Sequence, residues 1–254
     1  MSARPTEVVM ELVILTALGV GGATIFGAVM GFLFKGITDK FSNLVLAFSA
    51  GIMLAAAILG LILPSLEYGG NSALLITVIG IFAGAGLMKA LDLLVPHSHE
   101  PGGEVKGGKA DKIMLFILAI AIHNLPEGIA AGVGFGSGDT GNAMLIALGI
   151  ALQNIPEGMV IISPMLSVGI PAKRTFLLAS ATGFIEVIGT MLGYFAVSFA
   201  SFILPFALSF AGGTMLYVIS DDLIPEVHSD GKAGFSTVAM ISGFCLMLVM
   251  SYLL

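Results

Sequence analysis

Residues 113–135, IMLFILAIAIHNLPEGIAAGVGF, and residues 142–166, NAMLIALGIALQNIPEGMVIISPML, decide the fold class of this chain. Both runs are apolar over most of their length and do not alternate between apolar and polar residues. A helix that spans a membrane needs about 20 apolar residues, whereas a membrane β-strand alternates along its length. The two runs therefore predict transmembrane helices.

The rest of the chain has the same character. Of its 254 residues, 57% are hydrophobic and 10% charged, with a mean hydropathy of +1.06, whereas a soluble domain carries about 25% charged residues. Backbone polar groups must pair within the bilayer, so we expect an all-α integral membrane protein. It is predicted to be one transmembrane domain over 1–254, with a flexible cytoplasmic loop at about 96–112. The other predicted spans are 8–34, 41–66, 72–95, 175–200, 204–227 and 235–254, which gives eight in all.

Basic residues predict the orientation, because Lys and Arg are enriched in cytoplasmic loops. Only Arg4 lies on one side of the eight predicted spans, and the other nine basic residues lie on the opposite side. We therefore expect both termini outside the cytoplasm, in a protein of the cytoplasmic membrane. The nine are Lys35, Lys40, Lys89, Lys106, Lys109, Lys112, Lys173, Arg174 and Lys232.

The net charge of -6 and the single cysteine exclude some classes of partner and site. Without a basic patch, a nucleic-acid partner is not expected. Cys245 alone cannot form an intrachain disulfide or a thiol pair, and we expect it to be an inert thiol in the core. The lipid bilayer and a cationic ligand are the predicted partners.

The two opening runs share a repeated hexapeptide. His123-Asn124-Leu125-Pro126-Glu127-Gly128 is followed by Gln153-Asn154-Ile155-Pro156-Glu157-Gly158. Helical residues at i, i+3 and i+4 share a face, so each copy presents a polar stripe inside an apolar span. The predicted stripes are His123, Asn124 and Glu127 on one helix, and Gln153, Asn154 and Glu157 on the other.

The prolines in these copies add backbone oxygens to the stripes. Pro126 and Pro156 lack the N–H that would bond the carbonyls of Ile122 and Leu152, which predicts two kinked helices with free carbonyl oxygens. Imidazole favours borderline metals such as zinc, and oxygen ligands widen the range toward iron, manganese or cadmium. The stripes together therefore predict a cation site.

A purely structural role is the alternative for each single residue of the stripes. A single buried His or Asn can serve only to form an interhelical hydrogen bond, which stabilises a membrane protein by about 0.6 kcal/mol. Two buried carboxylates are different, because each costs several kcal/mol unless it is neutralised. The spans contain no Lys or Arg between residues 113 and 172, so a metal ion or protons must balance Glu127 and Glu157.

Further polar residues are candidates for the site or the pathway. Glu186, in the sixth span, is expected to join the site, the alternative being a protonated, hydrogen-bonded side chain. Met53 is a candidate for the pathway or for ordinary core packing. Asp222, Glu226 and His228 are candidates for a metal exit site or for a solvated helix end. His97 and His99 in the loop are candidates for metal capture or sensing.

These motifs resemble the ZIP (Zrt/Irt-like) family of divalent metal transporters, bacterial type. HNLPEG followed by QNIPEG carries most of the resemblance, supported by SAGIML in the second span, Glu186, and LYVISDDLIPEVH in the seventh. The resemblance implies eight helices, with spans 1–3 and 6–8 as inverted repeats around spans 4 and 5. It also implies import of divalent metal, zinc above cadmium, iron or manganese, with an elevator-like movement of the central block.

The resemblance also implies two metal positions. The first would use His123, Glu127, Gln153 and Glu157, and the second would use Asn124, Glu127, Asn154, Glu157 and Glu186. Two residues depart from the family pattern, since many members have His at the position of Gln153 and some bacterial ones have Asp at that of Asn154. Affinity and selectivity therefore do not transfer.

Alternatives to a carrier remain open from the sequence. A metal-selective channel, or a membrane metal sensor or scaffold that binds without transport, would use the same residues. An intramembrane metallohydrolase would want HExxH spacing, which the sequence lacks, so we expect no enzyme and no cofactor besides the transported metal. A homodimer is compatible with the sequence.

Overall fold

The computed structural model describes residues 5–34, 39–94, 109–167, 169–228 and 233–254. Within these ranges the chain forms helices and turns and no strand, which confirms the all-α prediction. The helices follow the apolar runs closely, because a continuous apolar segment in lipid satisfies its backbone hydrogen bonds only as a helix.

The described ranges contain eight long helices, which we number α1 to α8. Two of them, α2 and α7, include a π-helical stretch followed within two residues by a proline, Pro64 or Pro225. The bounds are α1 Pro5–Leu33; α2 Asp39–Ala55, with the π-helical stretch Ala56–Ile62 and the end Leu63–Tyr68; α3 Ala73–Leu94; α4 Lys109–Gly134; α5 Thr140–Val160, followed by Ile162–Ser167; α6 Ala172–Phe199; α7 Leu204–Val218, with the π-helical stretch Ile219–Leu223 and the end Ile224–His228; and α8 Ala233–Leu253.

Seven helices of the described chain are long and apolar enough to cross a membrane, judged by length and composition. The helix outside this count is α4, for which the side chains at 109–117 are not described. The eighth span and the inverted repeat therefore stay predictions. The cytoplasmic loop was predicted to reach about residue 112, but α4 already begins at Lys109. The residues at this start are good helix formers.

The helices pack in two sets, and within each set glycines let the helix backbones approach closely. In the set of α1, α4, α5 and α6, which we call the site set, Gly27 lies against the Ile155 carbonyl and Gly128 against the Glu186 carbonyl. In the flanking set of α2, α3, α7 and α8, Gly84 lies against the Phe210 carbonyl. Close backbone approach of this kind is typical of membrane helices that pack on small residues. The most extensive helix pairs also lie within the sets: α4 with α6, α1 with α5, α3 with α7, and α2 with α8.

Contacts between the two sets involve side chains. A methyl group added at Gly149 of α5 would meet Met247 Cε at 2.7 Å and Ala56 Cβ at 3.2 Å. Similarly, Gly60 of α2 faces the Ile146 side chain. Within the described residues, each glycine whose added Cβ would come within 3.0 Å of a backbone oxygen of another helix faces a helix of its own set, whereas Gly141 of α5 is 3.2 Å from the Leu254 carbonyl that follows α8. The boundary between the sets is therefore formed mainly by side chains.

Two hydrogen bonds also cross this boundary. Ser49 Oγ of α2 donates to the Gln153 carbonyl of α5 at 3.1 Å, and Asn142 Nδ2 of α5 donates to the Gly60 carbonyl of α2 at 3.0 Å. The second acceptor lies within a π-helical stretch, a feature that often marks functional positions.

Cys245 is exposed on α8, so the prediction of a core thiol is wrong. The run 235–254 is apolar on all sides, and a helix of this kind gives no sign of which face is buried. Large apolar side chains such as Val238, Leu248 and Tyr252 are exposed on the same helix. In a bilayer this face would contact lipid.

Candidate metal centre

The repeated hexapeptides lie at the middle of the site set. The helices α4 and α5 continue through Pro126 and Pro156, respectively. The polar residues that these helices and α6 contribute are buried to different degrees. Asn124, Gln153, Asn154 and Glu186 are fully buried, Glu127 is 1% exposed, and His123 and Glu157 are partly exposed. The structure thus brings the residues of both stripes and Glu186 into one buried region.

Glu186 is the acceptor of three side-chain hydrogen bonds. Asn124 Nδ2 and Thr24 Oγ1 donate to its Oε1, the latter at 2.7 Å, and Asn154 Nδ2 donates to its Oε2 at 2.6 Å. The donors come from α4, α1 and α5, so one carboxylate on α6 joins all four helices of the site set. Hydrogen bonds to a charged acceptor are stronger than those between neutral groups.

Several other buried atoms of this region make no hydrogen bond of good geometry among the described residues, although the side chains of Glu127 and Gln153 lie next to each other. They are both carboxylate oxygens of Glu127, both amide atoms of Gln153, and the Oδ1 atoms of Asn124 and Asn154. A buried acceptor left without a partner costs about 1–3 kcal/mol. Five of these six atoms are oxygens, the type of ligand that a divalent cation takes from carboxylates and amides.

The charges of the region also favour a cation. Glu157 lies close enough to both Glu127 and Glu186 for their charges to repel. Like charges at short range in a medium of low dielectric constant disfavour one another strongly. A bound divalent ion would remove this repulsion and satisfy the oxygens of Glu127 together.

His123 stands at the boundary between the two sets. Its Nε2 is 3.4 Å from Asp222 Oδ2, and the two side chains are 12% and 17% exposed. Asp222 lies in the π-helical stretch of α7, so this contact joins the site set to the flanking set. From the sequence, Asp222 is a candidate for an exit site at the cytoplasmic end of the seventh span. Its contact with His123 of the fourth span is a finding of the structure.

The other two members of the predicted exit cluster have different surroundings. Glu226 is exposed, whereas His228 has its Nδ1 2.8 Å from the Ile224 carbonyl and its Nε2 3.4 Å from Thr237 Oγ1. Among the described residues, no group of three or more His, Cys, Asp and Glu side chains is arranged to hold a metal ion. The exit site therefore stays a prediction, and the main site depends on amide oxygens as well as carboxylates.

The remaining candidates are Met53, His97 and His99. Met53 is fully buried in the largest apolar cluster of the protein, which agrees with ordinary core packing. His97 and His99 lie outside the described residues.

The sequence did not single out Thr24, which lies in the site, or Asn142, which lies at the start of α5. Thr24 lies in GGATIFG, where a hydroxyl in an apolar run gives no periodic signal. Asn142 lies three residues after Asp139, the residue whose side chain caps α5 by accepting from the Asn142 N–H at 3.1 Å. The side chain of Asn142 takes no part in this cap, and no local pattern connects it with Gly60 of α2.

Comparison with known proteins identifies similar chains. A family model described as "ZIP Zinc transporter" matches residues 95–251. The zinc transporter ZIPB of Bordetella bronchiseptica is 35% identical over 240 residues, 89% of this chain and 76% of that protein. The zinc transporter GufA of Myxococcus xanthus is 37% identical over 75% of this chain and 78% of its own. The zinc transporter ZIP11 of Xenopus tropicalis is 31% identical over 89% of this chain and 92% of its own.

Proposed function

This chain belongs to the ZIP family of zinc transporters, and from that premise we propose that it carries divalent metal ions, zinc first among them, across the membrane. The observation that carries the proposal is the group of buried oxygens on Glu127, Asn124, Asn154 and Gln153 that make no hydrogen bond of good geometry among the described residues. These oxygens are the type of ligand that a dehydrated divalent cation takes.

The cargo would occupy two neighbouring positions. His123, Glu127, Gln153 and Glu157 would form the first, as the family resemblance implies. Asn124 and Asn154 would form the second together with the same two carboxylates, next to Glu186. The charges of Glu127 and Glu157 neutralise one divalent ion, so a second ion would bind more weakly.

Metal preference follows from the donor atoms. One imidazole with oxygen ligands favours zinc, and it leaves room for cadmium, iron and manganese because no thiolate restricts the choice. The names of the relatives support zinc as the first metal to test.

The packing of the helices supports alternating access of the elevator type. All three carboxylates lie on the site set, whose helices are held together by backbone contacts at glycines. The boundary with the flanking set is formed by side chains, which can exchange neighbours as one body slides along the other. A movement of the site set would then carry the metal without disrupting the ligands.

A channel would use the same ligands with a fixed path through the boundary, and a sensor would bind without transport. We favour a carrier because the hydrogen bonds of Ser49 and Asn142 and the contact between His123 and Asp222 all cross the boundary. Contacts of this kind can be broken and remade between two end states. The proposed setting is the cytoplasmic membrane, with both termini outside, import of metal toward the cytoplasm, and a homodimer as one compatible assembly.

Zinc uptake into proteoliposomes tests the function. We expect saturable uptake, reduced by competing cadmium, iron or manganese in the order of their affinity. Glu127→Gln and Glu157→Gln should each lower uptake by about 100-fold or more, because each removes a charge that the ion needs. Glu11→Gln is the matched control, since Glu11 is exposed. Wild-type uptake in folded Glu157→Gln would contradict the assignment, and zinc binding without any uptake would favour the sensor.

A further inference from the structure

A proline in α2 removes the usual helical donor to one buried carbonyl. In an α-helix the Gly60 carbonyl would accept from the N–H four residues on, which is at Pro64, and proline has no N–H. Gly60 is buried in the π-helical stretch of α2. A buried carbonyl needs a donor, and here the donor comes from the other set, because Asn142 Nδ2 of α5 donates to the Gly60 oxygen at 3.0 Å.

This hydrogen bond lies at the outer end of the contact between α2 and α5. Asn142 precedes Ile146 by one helical turn, and the Ile146 side chain lies against Gly60. Gln153, in the candidate metal centre, lies about 16 Å further along α5 at 1.5 Å per residue. The predicted orientation places the start of α5 outside the cytoplasm, so Asn142 stands between the outer solution and the metal centre.

A cavity of about 250 Å³ lies beside Asn142 and is lined by residues from both sets. Glu67 and Tyr68, near the end of α2, and Asp139, which caps α5, are exposed residues of its wall. Asn142 is partly exposed, whereas Ile146, one turn deeper, is fully buried. Water from the outer side therefore reaches the hydrogen bond, and the boundary behind it is closed.

We propose that Asn142 is a latch: its hydrogen bond to the Gly60 carbonyl holds the site set against the flanking set on the outer side, and the bond breaks each time the metal centre opens to the outside. This inference rests on the proposed function. In the opened arrangement water takes the place of Asn142 at the carbonyl, so the bond favours the closed arrangement alone. Asn142 thereby keeps the metal-free protein mainly closed to the outside.

Cysteine labelling from outside the cell measures this bias without any metal. Ala56→Cys, in a Cys245→Ser background, places a thiol one turn deeper than Gly60, where Ala56 is fully buried. In intact cells a membrane-impermeant maleimide reaches this thiol only when the boundary opens to the outside. The labelling rate therefore reports how often the closed arrangement opens.

Asn142→Leu, made in this labelling background, removes the donor and keeps the approximate volume of the side chain. We expect it to raise the labelling rate by about two- to tenfold, the factor by which one hydrogen bond shifts an equilibrium. Thr140→Val is the matched control at an exposed position of the same helical turn, and it should label like the unsubstituted background. An unchanged labelling rate in Asn142→Leu would overturn the latch.

Pro64 tests the latch from the side of the acceptor. Pro64→Ala supplies the N–H that the Gly60 carbonyl lacks within α2, so the carbonyl depends less on Asn142. Pro64→Ala alone should also raise the labelling rate, which keeps the test open if Asn142→Leu does not fold. In the Pro64→Ala background, Asn142→Leu should change the rate by less than twofold. An undiminished effect would show that Asn142 acts elsewhere, and it would refute the latch.

Zinc uptake into cells separates the latch from a purely structural role. When the closed arrangement opens more often, a larger fraction of the protein is competent to bind external zinc, so the zinc concentration at half-maximal uptake should fall by the same factor as labelling rises. A lower maximal rate with an unchanged half-maximal concentration would contradict the latch. A wild-type protein that takes up no zinc refutes the transporter, whereas normal wild-type uptake with unchanged labelling in Asn142→Leu refutes the latch alone.

Discussion

Substitutions at two glycines test whether the site set and the flanking set move as separate bodies. Gly84 of α3 packs on α7 inside the flanking set, against the Phe210 carbonyl and 2.9 Å from the Thr214 nitrogen when a Cβ is added. Gly149 of α5 lies at the boundary, where the added Cβ meets Met247 Cε at 2.7 Å. We expect Gly84→Ala to lower stability and Gly149→Ala to slow transport.

The contacts set the size of each effect. At Gly84 the obstacle is the backbone of α7, so α3 and α7 must separate, and overpacking of this kind costs about 1–3 kcal/mol. At Gly149 the atom that must move is the end of a flexible methionine, by about 1 Å to reach an ordinary carbon contact. The folded state tolerates that shift, but sliding requires the new methyl to pass both Met247 and Ala56. An added barrier of about 1.4 kcal/mol would slow transport tenfold.

Thermal unfolding in detergent and initial zinc uptake in proteoliposomes measure the two effects. Gly86→Ala is the control on α3, because nothing lies within 4 Å of its added Cβ, and it should unfold at or slightly above the wild-type temperature. The double variant Gly149→Ala with Met247→Ala should recover part of the uptake rate. The two-body interpretation fails if Gly149→Ala transports at the wild-type rate or if Gly84→Ala unfolds like Gly86→Ala.

Three further predictions concern the helix, the topology and the second metal position. Pro126→Ala should restore a backbone hydrogen bond to the Ile122 carbonyl and slow zinc uptake without unfolding the protein, and an unchanged rate would mean that the proline serves packing alone. A cysteine at Lys106, in a Cys245→Ser background, should react with membrane-impermeant maleimide only from the cytoplasmic side, and labelling of intact cells would reverse the topology. Asn154→Asp adds an anionic ligand and should tighten zinc binding while slowing turnover, measured by calorimetry and uptake; weaker zinc binding would contradict this.

Much of the helix layout follows from the sequence, because hydropathy alone determines where a chain can cross lipid. The predicted run 72–95 corresponds to α3, Ala73–Leu94, and 175–200 corresponds to α6, Ala172–Phe199. The hexapeptide spacing likewise predicted that two polar stripes belong together. Their neighbours could not be predicted, since a helix that is apolar on all sides gives no sign of which face meets which partner.

The part of the candidate site that the sequence missed depends on contacts across helices. Glu186 was recognised as a carboxylate without a basic partner, but its donors come from three other helices. The hydroxyl of Thr24 lies 162 positions away in the chain, and no local pattern connects it with Glu186. The orientation of the Asn124 and Asn154 amides is set by those donors, so it is a property of the packed structure alone.

The location of all three carboxylates on the site set has an electrical consequence. If that set moves as one body, one divalent ion cancels two of its three carboxylate charges, so the loaded movement carries two negative charges fewer than the movement of the empty, unprotonated site. An empty site must return either protonated or with its negative charge, and each uncompensated charge that crosses 100 mV changes the energy by about 2.3 kcal/mol. An interior-negative potential would then drive the unprotonated empty carrier outward and accelerate turnover, which clamped potassium gradients in proteoliposomes would reveal.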